Sequence, residues 1–278
     1  MAQEKYVAYV GTYTHENSIG IHVYDIDMEK GKLTERSVAP ISNPSNIAVA
    51  HSGKYLYSIE DEGVASFSID ENGDLTKINQ AWIGGMRACY VEIDSNDRYL
   101  FLAGFHDGKV TMMRLNEDGS IAGIADGVFH QGVGKSSVEK RMDPRVSCTK
   151  LTPDEKYLCA VDWGLNQIKI YEVDYEEGKL HLYDILRFPF NSAPRRIRFS
   201  KDGKFAYVLE ETTNMVDIYT YDLREGKPVF EKIKTTSVLE KEDSLASGSA
   251  LEFAPDGKYL YVSLDGANEV VCLAVGED

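Results

Sequence analysis

Six charged side chains stand where a site could be assembled: Arg87, Arg141, Arg145, Arg195, Arg196 and Glu211. Each lies at the start of a sequence module or just after an aromatic-rich strand. A guanidinium is a planar fork of donors that engages a carboxylate or phosphate through two atoms at once, so arginines brought together would form an anion-binding mouth. That mouth would sit in a chain whose 30 Lys+Arg against 45 Asp+Glu give a net charge of −15. The competing reading is that each arginine neutralises one of those acids. His15, His22, His51, His106, His130 and His181 have no metal-ligand spacing, and Cys89, Cys148, Cys159 and Cys272 contain no Cys-x-x-Cys pair, so neither a metal nor a cofactor is expected. The cysteines read as buried thiols. His130 falls in a Gly-rich insertion from Gly127 to Ser137 and reads as a solvated loop histidine; Lys135-Ser136 follows Gly134 without a helical pattern, which excludes a phosphate loop.

The elements that must position these residues repeat. A turn followed by an aromatic-rich strand recurs at Tyr55, Tyr99, Tyr157, Phe205 and Tyr259, 44 to 58 residues apart. A short alternating segment precedes each block, as in Ile197-Arg198-Phe199-Ser200, and an Asp-Gly type turn joins the two. A second alternating run follows, then a turn containing Gly31, Gly73, Gly119, Gly178 or Gly226, then a more polar strand. No helical period occurs. Four antiparallel strands per repeat, in tandem, predict an all-β chain and a β-propeller of four-stranded blades, as one domain over 1–278. The modules at the two ends supply three strands each, so the predicted ring is incomplete, and its exposed blade edges would favour homo-oligomers.

Composition narrows the partners. With 278 residues, 43% apolar and 27% charged, the chain can bury a large core. The negative field repels phosphate backbones and anionic headgroups, so neither nucleic acid nor membrane is an expected partner. There is no apolar run of about 18 residues and Met1-Ala2-Gln3-Glu4-Lys5 does not open a signal peptide, so a cytoplasmic protein is expected.

Several loop sequences go beyond a generic propeller. These are Tyr9-Val10-Gly11-Thr12-Tyr13-Thr14, Asn43-Pro44-Ser45, His130-x-Gly132-x-Gly134 leading to Arg141, Asp162-Trp163-Gly164 followed by Asn166, and Pro194-Arg195-Arg196 leading to Tyr207-Val208-Leu209-Glu210-Glu211. With them the whole chain resembles the seven-bladed β-propeller lactonase family, of the 6-phosphogluconolactonase and carboxy-muconate lactonizing enzyme type. The resemblance implies a chain short by more than one blade at its C-terminal end, and a small anionic sugar lactone as substrate, in carbohydrate metabolism. By it Glu211 matches the family's acidic residue and Arg195 the arginine of Pro-Arg-His, the two implied to be catalytic. Arg145, Arg196, Arg141 and Arg87 would hold the substrate's anionic group.

The departures from the family pattern point the other way. Pro-His-x-His is here Pro144-Arg145-Val146-Ser147, which removes two imidazoles, the usual proton carriers near neutrality. Pro-Arg-His has become Pro194-Arg195-Arg196, Glu210 stands where the family has asparagine, and Ser-Asn-Arg-Gly is Ser263-Leu264-Asp265-Gly266. The alternative expectation is therefore a non-catalytic propeller that binds an anionic metabolite or a protein on the same mouth.

Overall fold

A computed structural model of the chain describes residues 6–132, 143–241 and 245–276. The described residues form strands and turns with no helix, in six antiparallel sheets of the propeller-blade type. The chain divides into two compact units at Val128 and Phe129. In the first, the sheets are β1–β2–β3 (Tyr6–Val10, Gly20–Asp27, Lys32–Pro40), β4–β5–β6–β7 (Ile47–Val49, Tyr55–Glu60, Gly63–Ile69, Leu75–Ala81) and β8–β9–β10–β11 (Tyr90–Ile93, Tyr99–Gly104, Lys109–Leu115, Ile121–Phe129), the last strand ending one residue into the second unit.

The second unit continues with β12–β13–β14–β15 (Val146–Leu151, Tyr157–Asp162, Gln167–Asp174, Lys179–Arg187), β16–β17–β18–β19 (Pro194–Phe199, Phe205–Glu210, Met215–Arg224, Lys227–Ser237) and β20–β21–β22 (Ser247–Phe253, Tyr259–Asp265, Glu269–Ala274). The first and last sheets thus have three strands each, as the strand count along the sequence predicts.

Burial explains the aromatic landmark strands. β9 and β13 are buried along their whole length, whereas the fourth strands β7 and β15 have no buried residue and one buried residue respectively. Tyr57, Ile59 and Val64 of one sheet share a core with Val91, Leu100, Leu102 and Met113 of the next. In the second unit Tyr207, Leu209 and Val216 share one with Leu251, Leu260, Val262 and Leu264. Each such side chain contributes about 1.5–3 kcal/mol on burial.

Three of the recurring turn glycines accept a hydrogen bond from a tyrosine of the preceding sheet. A tyrosine hydroxyl donates to a glycine carbonyl in the second turn of the following sheet: Tyr9 to Gly73 at 2.8 Å, Tyr57 to Gly119 at 3.1 Å and Tyr157 to Gly226 at 3.1 Å. Gly119 must be glycine on two counts. Its φ is +77°, and a Cβ there would lie 2.3 Å from the Tyr55 ring. Gly119→Ala is expected to lower stability by about 2–4 kcal/mol, the left-handed penalty plus overpacking. Gly31→Ala, at φ +59° with nothing within 4 Å, should cost only the first term, about 1–2 kcal/mol. Urea midpoints of the two variants compare them directly.

Candidate functional site

The entries to two inner strands of the second unit are tied together. Ser147 Oγ donates to the Arg195 carbonyl at 2.9 Å, and Arg196 Nη1 donates back to the Ser147 carbonyl. One step along, Arg198 Nη1 lies 3.9 Å from Cys148 Sγ, so β12 and β16 run side by side in the same direction. Antiparallel pairing sets Val146 opposite Asp162 and Pro194 opposite Glu210. Arg145, Ser147, Arg195 and the ends of β13 and β17 therefore gather at one end of these two sheets.

Glu211 stands in that group by backbone clamps. Its N–H donates to Ala193 O at 2.9 Å, and its carbonyl accepts from Gly248 N–H at 3.2 Å. The carboxylate forms an ion pair with Arg195 Nη1, the side chains being 18% and 31% exposed, so the pair is accessible but not free in solvent. Arg195 Nε is buried and without a hydrogen-bond partner among the described residues, leaving the guanidinium with a spare donor.

The loop that delivers Arg195 stores strain. Ala193 is buried with φ +51°, a region an L-residue with a Cβ occupies at a cost of about 1–2 kcal/mol. It is held there by Asn166, whose Oδ1 accepts the Ala193 N–H at 2.9 Å. Ala193→Gly relieves that strain but adds glycine's larger entropy loss and removes a buried methyl of about 0.8 kcal/mol, so stability should change by less than about 1 kcal/mol, measurable by thermal unfolding.

The remaining site residues differ in what they have to offer. Arg145 is tied through its main chain: its N–H donates to Asp162 Oδ1 at 2.9 Å and its carbonyl accepts from Trp163 N–H at 2.9 Å. Its guanidinium lies over the Trp163 ring, 5.6 Å from the centroid. Arg196 directs Nη1 at main-chain carbonyls. Arg87, in the first unit, donates Nη2 to Asn43 O and Ser45 Oγ, sits 3.4 Å from Asp61 and covers the Tyr13 ring at 5.3 Å. Arg141 and the 133–142 segment lie outside the described residues. Asp265, at the end of β21, is exposed and caps Gly266 N–H at 2.9 Å.

The burial of two polar groups escapes the sequence reading. Glu210, 5% exposed, accepts from Thr213 Oγ1, and burial together with the nearby Asp217 carboxylate pushes its carboxyl above the usual range. His130 is the clear correction: it is not solvated but 4% exposed, with Nδ1 2.6 Å from Asp162 Oδ2. Its position directly after an outer strand, where neighbouring modules place apolar residues, is the signal that could have shown this. Among the described residues no group of three or more His, Cys, Asp or Glu is placed to hold a metal ion. No helix there is long and apolar enough to cross a membrane.

The chain matches the family model described as a seven-bladed β-propeller lactonase over residues 7–278. It is 32% identical over 280 residues to 6-phosphogluconolactonase of Bacillus subtilis, covering 98% of this chain and 78% of that protein. The solved periplasmic gluconolactonase PpgL of Pseudomonas aeruginosa is 27% identical with a TM-score of 0.87, covering 98% of this chain and 79% of that one. A solved protein of Lactobacillus plantarum, 28% identical, gives the same score with 99% and 80% covered.

Proposed function

The chain belongs to the lactonase family of seven-bladed β-propellers, and from that premise we propose that it hydrolyses an anionic sugar lactone at the Arg195–Glu211 pair. The observation that carries this reading is the pair itself: a partly exposed carboxylate and guanidinium in contact, at one end of adjoining sheets, with the carboxylate's residue anchored by main-chain bonds. Glu211 takes a proton from water as the oxygen attacks the ester carbonyl. Arg195 stabilises the oxyanion that develops. The tetrahedral intermediate then collapses with cleavage of the ring C–O bond, and Glu211 returns its proton to the departing alkoxide, giving a hydroxy acid. Arg145, whose guanidinium lies over Trp163 at the same strand entry, is assigned to the substrate's own anionic group.

A second reading has its own observation. Where the family pattern carries imidazoles, this chain has Arg145 and Ser147, and the Ser147 hydroxyl is spent on the Arg195 carbonyl. A mouth rich in arginine without a proton carrier at those positions suits an anion binder. Hydrolysis of δ-gluconolactone with and without a 6-phosphate separates the two. Turnover that favours the phosphorylated lactone supports the enzyme; binding of 6-phosphogluconate without turnover of either lactone supports the binder.

A further inference from the structure

Five modules place a buried residue directly after, or one past, the outer strand: Ile41, Ile83, His130, Phe188 and Val238, from 3% to 8% exposed. Four are apolar. The fifth is His130, which stacks on Tyr171 at 6.1 Å as Phe188 packs on Tyr219 at 6.3 Å, those tyrosines being the fifth residues of β14 and β18. Packing alone would thus be served by phenylalanine. The histidine adds a hydrogen bond from Nδ1 to Asp162 Oδ2, both side chains fully buried. The other carboxylate oxygen, Oδ1, accepts the N–H groups of Arg145 at 2.9 Å and Leu165 at 3.0 Å.

We propose that His130 and Asp162 are positioning residues for Arg145, a buried dyad that fixes the start of β12 and so holds the Arg145 guanidinium over Trp163. The assignment of Arg145 to the substrate's anion rests on the function proposed above; the dyad's hold on Arg145 does not. Asp162 grips the Arg145 backbone only while its carboxylate is oriented, and His130 occupies the oxygen that does not touch Arg145, which leaves Oδ1 to the two amides. His130 Nε2 is buried with no hydrogen-bond partner among the described residues, so a second proton would have no acceptor there.

The groups facing the ring are Asp162 of β13 and Lys169 and Tyr171 of β14. Burial holds the imidazole below its ordinary 6.5, more than Asp162 raises it, and Lys169 adds to the lowering. The stability tied to the neutral ring is therefore complete above pH 6.5 and is lost as pH falls through the folded value.

Trp163 gives a readout that needs no substrate. The chain has two tryptophans, so in a Trp82→Phe background emission reports the Arg145–Trp163 stack. On acidification below pH 6.5 that emission is expected to titrate once, and His130→Phe, which copies the Phe188 packing of the next module, should abolish the transition. Asp162→Asn, still able to accept from main-chain N–H groups, should shift the emission at pH 7.5, and it stands in if His130→Phe does not fold. An unchanged transition in His130→Phe, or unaltered Trp163 emission in Asp162→Asn, overturns the proposal. With 6-phosphogluconolactone, His130→Phe should raise KM about tenfold and leave kcat within about twofold. A lower melting temperature with KM unchanged marks a merely structural role and also overturns it. Absence of any hydrolysis by the unaltered protein would count against the lactonase reading alone, and the emission titration would still decide on the dyad.

Discussion

Glu211→Gln is expected to lower kcat/KM for lactone hydrolysis by about 10²–10⁴-fold, the usual contribution of a positioned general base. That corresponds to about 3–5 kcal/mol of transition-state stabilisation. The fold should hardly register the change. Glutamine keeps the side-chain volume, and the residue's place is set by main-chain bonds to Ala193 and Gly248, neither of which uses the carboxylate. The ion pair with Arg195 is partly exposed, and pairs of that kind contribute about 0–1 kcal/mol. The expected activity loss therefore exceeds any stability loss severalfold, and acid release measured above the spontaneous rate, beside a thermal melt, tests both. Unchanged catalysis would place the base elsewhere. Glu210 would then be the first residue to test, since burial already raises its carboxyl above the ordinary range.

What the sequence discloses depends on how far apart the interacting residues are. Alternation and turn chemistry act within a few residues, so the blade pattern and the three-stranded modules at each end can be read directly. Gly119 is visible as a recurring turn glycine and Tyr57 lies in an aromatic strand, yet the bond between them spans 62 residues and shows only in three dimensions. Asn166 is legible as part of a loop sequence but not as the clamp on strained Ala193. Arg195 and Glu211 are named because the family resemblance singles them out; their mutual ion pair depends on the bulged register between β16 and β17. His130 misleads because glycines beside it suggest solvent, whereas its place after an outer strand puts it in the core. A residue type chosen by chemistry at a position chosen by packing is where local reasoning fails.

Arg195→Ala should cost about 10²–10³-fold in kcat/KM, the range found when one donor to a developing oxyanion is removed. The backbone at this position is held independently of the side chain, because its carbonyl accepts from Ser147 Oγ at 2.9 Å and from Arg196 Nη1 at 3.4 Å. Truncation therefore removes the guanidinium without releasing the strand entry. Arg195→Lys separates charge from geometry: an ammonium restores the positive charge but not the planar fork or the buried Nε–H, so it should recover only part of the loss. If Glu211 and Arg195 act in one transition state, the double variant Glu211→Gln/Arg195→Ala should be little slower than the slower single variant, since residues that work as a unit are not additive. Multiplicative losses would mean two independent roles. A binding module gives a third pattern: calorimetry with 6-phosphogluconate would show affinity lost in Arg195→Ala and retained in Glu211→Gln, with no hydrolysis in any form. The same pair of residues thus distinguishes a base with its oxyanion donor from an arginine whose task ends at holding the anion.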